Sequence, residues 1–241
     1  MKRILVLPYA GGSAEIITNK LKHNVSKEIE VIPIELAGRG RRFGECLITG
    51  FDEQLKDVLV QIQKYIHDNV EYALLGYSMG SVLCYELYYE IMKNKWKMPE
   101  TIFFCASSVP EKSIRNRKLD DASIIDEMVR LGGTSEEVLQ IQELMELILP
   151  IMRADFQVLN TYEYRKHDKK IECPISIHCG YDDDVYQDIR MWDNYSTEEC
   201  QYNFYEGGHF FINDVPKEMG ENIALYYIEN KWNVIETKVG A

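Results

Sequence analysis

The segment from Tyr72 to Met92 constrains the fold of this chain more than any other. An apolar run, Tyr72-Ala73-Leu74-Leu75, passes directly into Gly76-Tyr77-Ser78-Met79-Gly80, and Val82, Tyr85, Leu87 and Met92 then continue at helical spacing. The pattern is a strand, a sharp turn carrying a serine, and a helix. At such a turn the serine takes a strained backbone conformation, and the small flanking glycines let neighbouring backbone approach without a clash. The hydroxyl is then presented at the mouth of a sheet, at the positive end of a helix. G-x-S-x-G alone also fits a glycine-rich turn with an idle serine; the strand before it and the helix after it favour the nucleophile.

Further short runs rich in β-branched and aromatic residues stand at Arg3–Pro8, Glu30–Leu36, Thr101–Ala106, Pro174–Cys179 and Tyr202–Tyr205. Continuous apolar runs are the mark of strands buried on both faces. A helical pattern from Phe51 to Asp68, with Leu55, Val58, Leu59, Ile62, Tyr65 and Ile66 three and four apart, lies between two of them. Strand and helix alternate, which predicts an α/β protein with a mostly parallel sheet flanked by helices.

After Pro110 no strand signal appears for roughly sixty residues, longer than an ordinary connection in a compact domain. Gly132-Gly133 end one helix there, and Thr134-Ser135-Glu136-Glu137 supplies a capping-box pattern. Val138, Leu139, Ile141, Leu144, Met145, Leu147 and Ile148 follow, and Pro150 is expected to stop that helix. The expectation is a single domain over residues 1–241 with a helical lid inserted at about residues 111–166.

A serine is a weak nucleophile at neutral pH and needs a base in reach and a third group to orient that base. Behind an elbow of this kind the chain order is serine, acid, histidine. Of His23, His67, His167, His178 and His209, only the last two lie beyond Ser78 and outside the insertion and its edge. His178 falls inside an apolar run, where a satisfied core histidine is the better explanation. His209 follows Gly207-Gly208 after the last strand, the loop position a base requires. The acid belongs to the loop after Pro174–Cys179, where Asp182, Asp183 and Asp184 compete and residue chemistry alone does not separate them. The first loop, Pro8-Tyr9-Ala10-Gly11-Gly12-Ser13, is glycine-rich, so the Ala10 amide can join that of Met79 in binding an oxyanion.

Composition removes other classes. With 27 Lys and Arg against 39 Asp and Glu the net charge is −12, and no basic stripe offers itself to a nucleic acid. No stretch has the roughly 18–20 uncharged apolar residues of a membrane span. The start, Met1-Lys2-Arg3 and then Ile4–Leu7, resembles a leader superficially, but Pro8 and Gly11-Gly12 break it and a first strand reads better. Cys46, Cys84, Cys105, Cys173, Cys179 and Cys200 form no C-x-x-C pair, so reduced thiols and a cytoplasmic location are expected. Gly38-Arg39-Gly40-Arg41-Arg42-Phe43-Gly44 departs from the dinucleotide fingerprint, and no metal-ligand spacing or Walker sequence occurs.

Several stretches together resemble the type II thioesterases, stand-alone α/β-hydrolases that serve nonribosomal peptide and polyketide synthetases. They are Pro8–Ser13, Pro33–Arg42, the elbow, Leu131–Thr134, Leu149–Phe156, Gly180–Asp183 and Gly207-Gly208-His209-Phe210-Phe211. The resemblance spans nearly the whole chain; one departure is Ala37, where the family often has proline. It implies an α/β-hydrolase fold, Asp183 as the acid with Asp182 as runner-up, and hydrolysis of acyl thioesters on the 4′-phosphopantetheine arm of a carrier protein. No metal or cofactor of the chain's own is implied, nor any homo-oligomer. Arg115, Arg117 and Lys118, at the start of the insertion, are by charge alone the cations available to an acidic carrier, although a solvated face explains such a cluster better. Two other readings keep the same residues: a carboxylesterase or lipase acting on small free esters, and a binding protein that has given up turnover.

Overall fold

The apolar runs of the sequence become strands, and the three central ones are buried on both faces, with no polar side to expose. A computed structural model describes residues 1–67, 69–113 and 116–229. The elements are β1 (Lys2–Leu7), α1 (Ala14–Leu21), β2 (Ile29–Pro33), α2 (Phe51–Ile66), β3 (Tyr72–Tyr77) and α3 (Met79–Lys93). Next come β4 (Thr101–Cys105), α4 (Asp121–Leu131), α5 (Glu136–Leu139), α6 (Gln142–Asn160), β5 (Ile175–Gly180), β6 (Gln201–Tyr205) and α7 (Pro216–Glu229). The helix predicted to Asp68 is α2; Asp68, Arg115 and the stretch 230–241 lie outside the described residues.

The strands form one sheet in the order β2-β1-β3-β4-β5-β6, and every described pair is parallel. Every residue of β3, β4 and β5 is buried. One core cluster contains residues of α2 and α3, including Val58, Ile62, Leu83 and Leu87. Another gathers Ile17 and Leu21 of α1 with Met219 and Ile223 of α7 against Val6, Leu75 and Phe103. The chain runs outward from β1 to β2 and returns to β3 on the other side of β1. The carboxyl ends of β1 and β3 therefore diverge into a crevice, the place where open parallel sheets put their sites.

Helices α4, α5 and α6 all lie between β4 and β5; α4 and α6 share a small cluster of Ile124, Met128, Met145, Met152 and Phe156, against which Leu139 of α5 packs. Gly132, with φ 76°, ends α4 as the sequence predicts. The next expectations need correcting. Ser135 rather than Thr134 caps α5, its hydroxyl accepting from the Val138 N–H at 3.4 Å. Bonds from Gln140 N–H to Glu137 and from Ile141 N–H to Val138 close that short helix, and extended Ile141 starts another. Pro150 does not stop α6, which continues through it to Asn160. A proline inside a helix costs about 3 kcal/mol. Here the turns beyond it bury Met152, Ala154, Asp155, Phe156, Val158 and Leu159, and that burial offsets the cost.

Candidate active site

Ser78 joins β3 to α3 with φ 51° and ψ −112°, a conformation that costs a residue with a side chain about 1–3 kcal/mol. Its surroundings hold it there. The Ser78 N–H donates to the Cys105 carbonyl at 2.8 Å, and the buried Ser81 hydroxyl below donates to the Gly76 carbonyl at 2.7 Å. A Cβ on Gly76 would lie 2.3 Å from the Gly80 carbonyl oxygen, and one on Gly80 would lie 2.3 Å from that of Leu7. Glycine at both positions is thus what lets the elbow close on itself and on the end of β1.

The loops after β5 and β6 meet over the same edge of the sheet. Tyr181 N–H donates to the Tyr205 carbonyl at 2.9 Å and Asp182 N–H to that of Gly207 at 3.0 Å. This contact sets His209 between two partners. Its Nδ1 stands 2.9 Å from Asp183 Oδ2 and its Nε2 stands 2.9 Å from Ser78 Oγ. A carboxylate at Nδ1 fixes the proton there, which leaves the Nε2 lone pair for the serine hydroxyl. The backbone of His209 is held as well, because the Tyr77 hydroxyl donates to its carbonyl at 2.7 Å. Burial pushes that phenol well above its ordinary value, so it remains a donor.

Of the three aspartates only Asp183 is buried. Its second oxygen accepts from the Val185 N–H at 3.3 Å. Asp182 is exposed, and Asp184 pairs with Arg130 of α4. His178 sits in β5, 2.7 Å from the Tyr205 hydroxyl through Nδ1 and 3.1 Å from Ser176 Oγ through Nε2. It is a satisfied core histidine, and burial pushes its imidazole down to about 3.

Two cavities meet at Ser78 and His209. One, of about 60 Å³, is bordered by Met79, Ser107, Lys112, Arg117 and Arg130. The other, of about 170 Å³, is apolar, with Ala10, Met128, Ile148, Met152, Phe156 and Phe210 on its walls. The Ala10 N–H has no hydrogen-bond partner among the described residues, and neither has that of Met79, the first residue of α3. Both candidate oxyanion amides therefore belong to residues beside the serine with their donors unused. This arrangement can take a proton from Ser78, attack a carbonyl carbon and stabilise the oxygen that becomes charged.

A family model described as a thioesterase domain matches residues 2–224. The chain belongs to the thioesterase domain family. The gramicidin S biosynthesis protein GrsT of Aneurinibacillus migulanus is 35% identical over 224 residues, 91% of this chain and 86% of that protein. Among solved structures, ClbQ from the colibactin NRPS/PKS pathway superposes with a TM-score of 0.85 at 26% identity, covering 92% of this chain and 95% of that one. The type II thioesterase BorB from the borrelidin biosynthetic cluster gives 0.80 at 26% identity, covering 92% and 91%. The fold of this thioesterase is that of the α/β-hydrolases, with α4–α6 set between β4 and β5.

Of the cations at the start of the inserted segment, Arg117 borders the smaller cavity and Lys118 is exposed; Arg115 lies outside the described residues. Other side chains at this thioesterase's site had no signal of their own in the sequence. Lys112 and Arg130 are ordinary surface cations until the fold brings them to the cavity rim. Met128 of α4 and Met152 and Phe156 of α6 form part of the apolar cavity wall; of these only the last two fall in a stretch that carries the family resemblance, and nothing in their spacing marks them as lining. Among the described residues no helix is long and apolar enough to cross a membrane, and all six cysteines are free.

Proposed function

We propose that this chain is a type II thioesterase that hydrolyses acyl groups from the 4′-phosphopantetheine arm of a carrier protein, freeing mis-primed or stalled carriers of a nonribosomal peptide or polyketide synthetase. One observation carries the reading: Ser78, His209 and Asp183 stand in hydrogen-bonded line at the mouth of two cavities, in a chain of the thioesterase domain family. The relatives' names support the assembly-line setting. Six free thiols suit a reducing compartment, and we place the reaction in the cytoplasm.

Ser78 Oγ attacks the thioester carbonyl as His209 Nε2 takes its proton, and Asp183 stabilises the imidazolium. The amides of Ala10 and Met79 bind the oxyanion, each such donor being worth about 10²–10³ in rate. The carbon–sulfur bond breaks, His209 returns the proton to the departing pantetheine sulfur, and the acyl group remains as an ester on Ser78. Water, giving a proton to His209, then cleaves that ester and restores the hydroxyl. The cycle consumes one thioester and one water and releases the thiol and the free acid.

The apolar cavity of 170 Å³ takes the acyl chain. An engineered cavity of about 150 Å³ admits benzene, so this one suits acyl groups of roughly six to eight carbons. The pantetheine arm approaches through the smaller cavity, and helices α4 and α6 of the inserted segment, which line both cavities, act as the lid.

The test is release of free thiol from one medium-chain acyl group offered on a carrier protein, on coenzyme A and as a small oxygen ester. Preference for the carrier, abolished in Ser78→Ala, is expected. Preference for the oxygen ester makes the chain a general esterase. No turnover of any of them, with a phosphonate probe failing to label Ser78, makes it a binding protein.

A further inference from the structure

The Ala10 amide sits in a loop that is tied down by charged side chains from two distant parts of the chain. Gly11 N–H donates to Asp155 Oδ2 at 2.7 Å, and the Gly12 carbonyl accepts from Arg39 Nη1 at 3.3 Å. Arg39 and Asp155 also face each other as a fork, Nη1 to Oδ2 at 2.5 Å and Nη2 to Oδ1 at 2.7 Å. Their side chains are 5% and 0% exposed. Asp155 belongs to α6 and Arg39 to the loop after β2, so the pair spans the sheet crevice and the inserted segment.

Stability is a poor explanation for such a pair. Removing two ions from water costs about as much as their attraction returns, and apolar residues of similar size often do as well. Direction is what a planar fork supplies: two parallel bonds fix the carboxylate plane, and the remaining contact of Oδ2 then fixes the Gly11 N–H. On the other flank of Ala10 the Gly12 N–H closes a turn onto the Tyr9 carbonyl at 2.9 Å. Gly11 has φ 77°, and a Cβ there would lie 2.0 Å from Met152 Sδ of α6, so helix and loop are in direct contact. Both neighbours of Ala10 are thereby pinned, while its own amide is left unused in the cavity that holds Ser78 and His209.

We infer that Asp155 and Arg39 are positioning residues for the oxyanion-binding loop: together they aim the Ala10 amide at the place where charge develops on the thioester oxygen. This rests on the functional reading above, in which Ser78 is the nucleophile and Ala10 an oxyanion donor. Misplacing a donor of this kind by about 1 Å costs on the order of 10²-fold in rate.

The experiment compares the wild type with the double variant Arg39→Met, Asp155→Leu, which removes both charges and leaves neither one buried alone. Four quantities are measured: the urea midpoint, kcat and KM on an acyl-carrier substrate, inhibition by hexylboronic acid, and binding of a hexyl-pantetheine thioether. The boronate adds to Ser78 as a tetrahedral anion and so reports on the oxyanion site; the thioether resembles bound substrate and does not. The double variant is expected to keep its midpoint and KM, to lose about 10- to 100-fold in kcat, to lose boronate affinity by the same factor, and to bind the thioether as before. Unchanged kcat, equal loss of boronate and thioether binding, or failure to fold would each assign the pair to structure alone and overturn the inference. A wild type that releases no thiol refutes the functional reading before any variant is compared. An active wild type with an unaffected variant refutes the positioning role only.

Discussion

Arg130, in the last turn of α4, forms an ion pair with Asp184, the residue that follows the partner of His209. The pair joins the inserted helices to the acid loop, yet its side chains are 40% and 65% exposed. Exposed pairs are worth about 0–1 kcal/mol and weaken with salt. Asp184→Asn is therefore expected to change kcat by less than about threefold, because the pair is an exposed contact at the cavity rim that touches none of the reacting atoms. Asp183→Asn is expected to lower kcat by about 10⁴ with the fold intact, because His209 loses the carboxylate that fixes its tautomer. Steady-state kinetics of the two variants decide between neighbouring aspartates, and the opposite ranking would move the acid by one residue.

His178, buried in β5, makes stability depend on pH. Burial holds its folded-state value at about 3, against 6.5 when exposed. Between those values the unfolded chain binds a proton that the folded chain refuses, so stability rises with pH through that window and falls as pH drops from 6.5. The slope contributed by one such group approaches about 1.4 kcal/mol per pH unit. Urea unfolding at pH 4.5 and 6.5 is expected to show that dependence in the wild type. In His178→Gln the absolute stability falls, because hydrogen bonds to Tyr205 and Ser176 are altered, but the part of the slope due to residue 178 disappears. An unchanged slope would place the titration elsewhere.

What was legible in the sequence is what local chemistry decides. The elbow at Gly76–Gly80 needs only a strand, two glycines and a helix in succession, and Tyr72–Tyr77 and Met79–Lys93 supply them. His178 and His209 separate by their neighbours, an apolar run against a pair of glycines. Asp182, Asp183 and Asp184 do not separate that way. Which of them is buried depends on where the loop after β6 crosses, and only the family resemblance pointed to Asp183. The Arg39–Asp155 fork was invisible for the same reason, since its halves lie 116 residues apart. Pro150 misled because its cost is local while the burial that offsets it, at Met152, Phe156 and Leu159, is tertiary.

Gly76 offers a test of the elbow that leaves every reacting group in place. A Cβ there would stand 2.3 Å from the Gly80 carbonyl oxygen and 2.5 Å from Ser81 Cα, both backbone atoms that cannot swing aside. Gly76→Ala must then push β3 and α3 apart at the turn, and overpacking of a close contact costs typically about 1–3 kcal/mol, occasionally more. Thermal unfolding is expected to register that loss, with labelling of Ser78 by a phosphonate slowed beyond what the lost stability explains. Wild-type stability together with wild-type labelling would mean that the turn has room the close approach denies.

Met152 tests whether the apolar cavity measures the acyl chain. It is 6% exposed and lines that cavity together with Phe210, with its sulfur against Gly11. Truncating a buried methionine to alanine costs about 2–5 kcal/mol in a closed core, and the low end is expected where one side already borders a cavity. The space released adds to the cavity that Ser78 also lines, and each further methylene accepted there is worth about 0.8 kcal/mol, or roughly fourfold in kcat/KM. Because Met152 also touches the Gly11 loop, a loss common to every substrate is separated out by taking the ratio between acyl lengths on one carrier, from which a common factor cancels. The optimum is expected to move to chains about two carbons longer than in the wild type. A profile that keeps its optimum while all rates fall together would mean that Met152 supports the Gly11 loop and that the end of the acyl chain lies elsewhere.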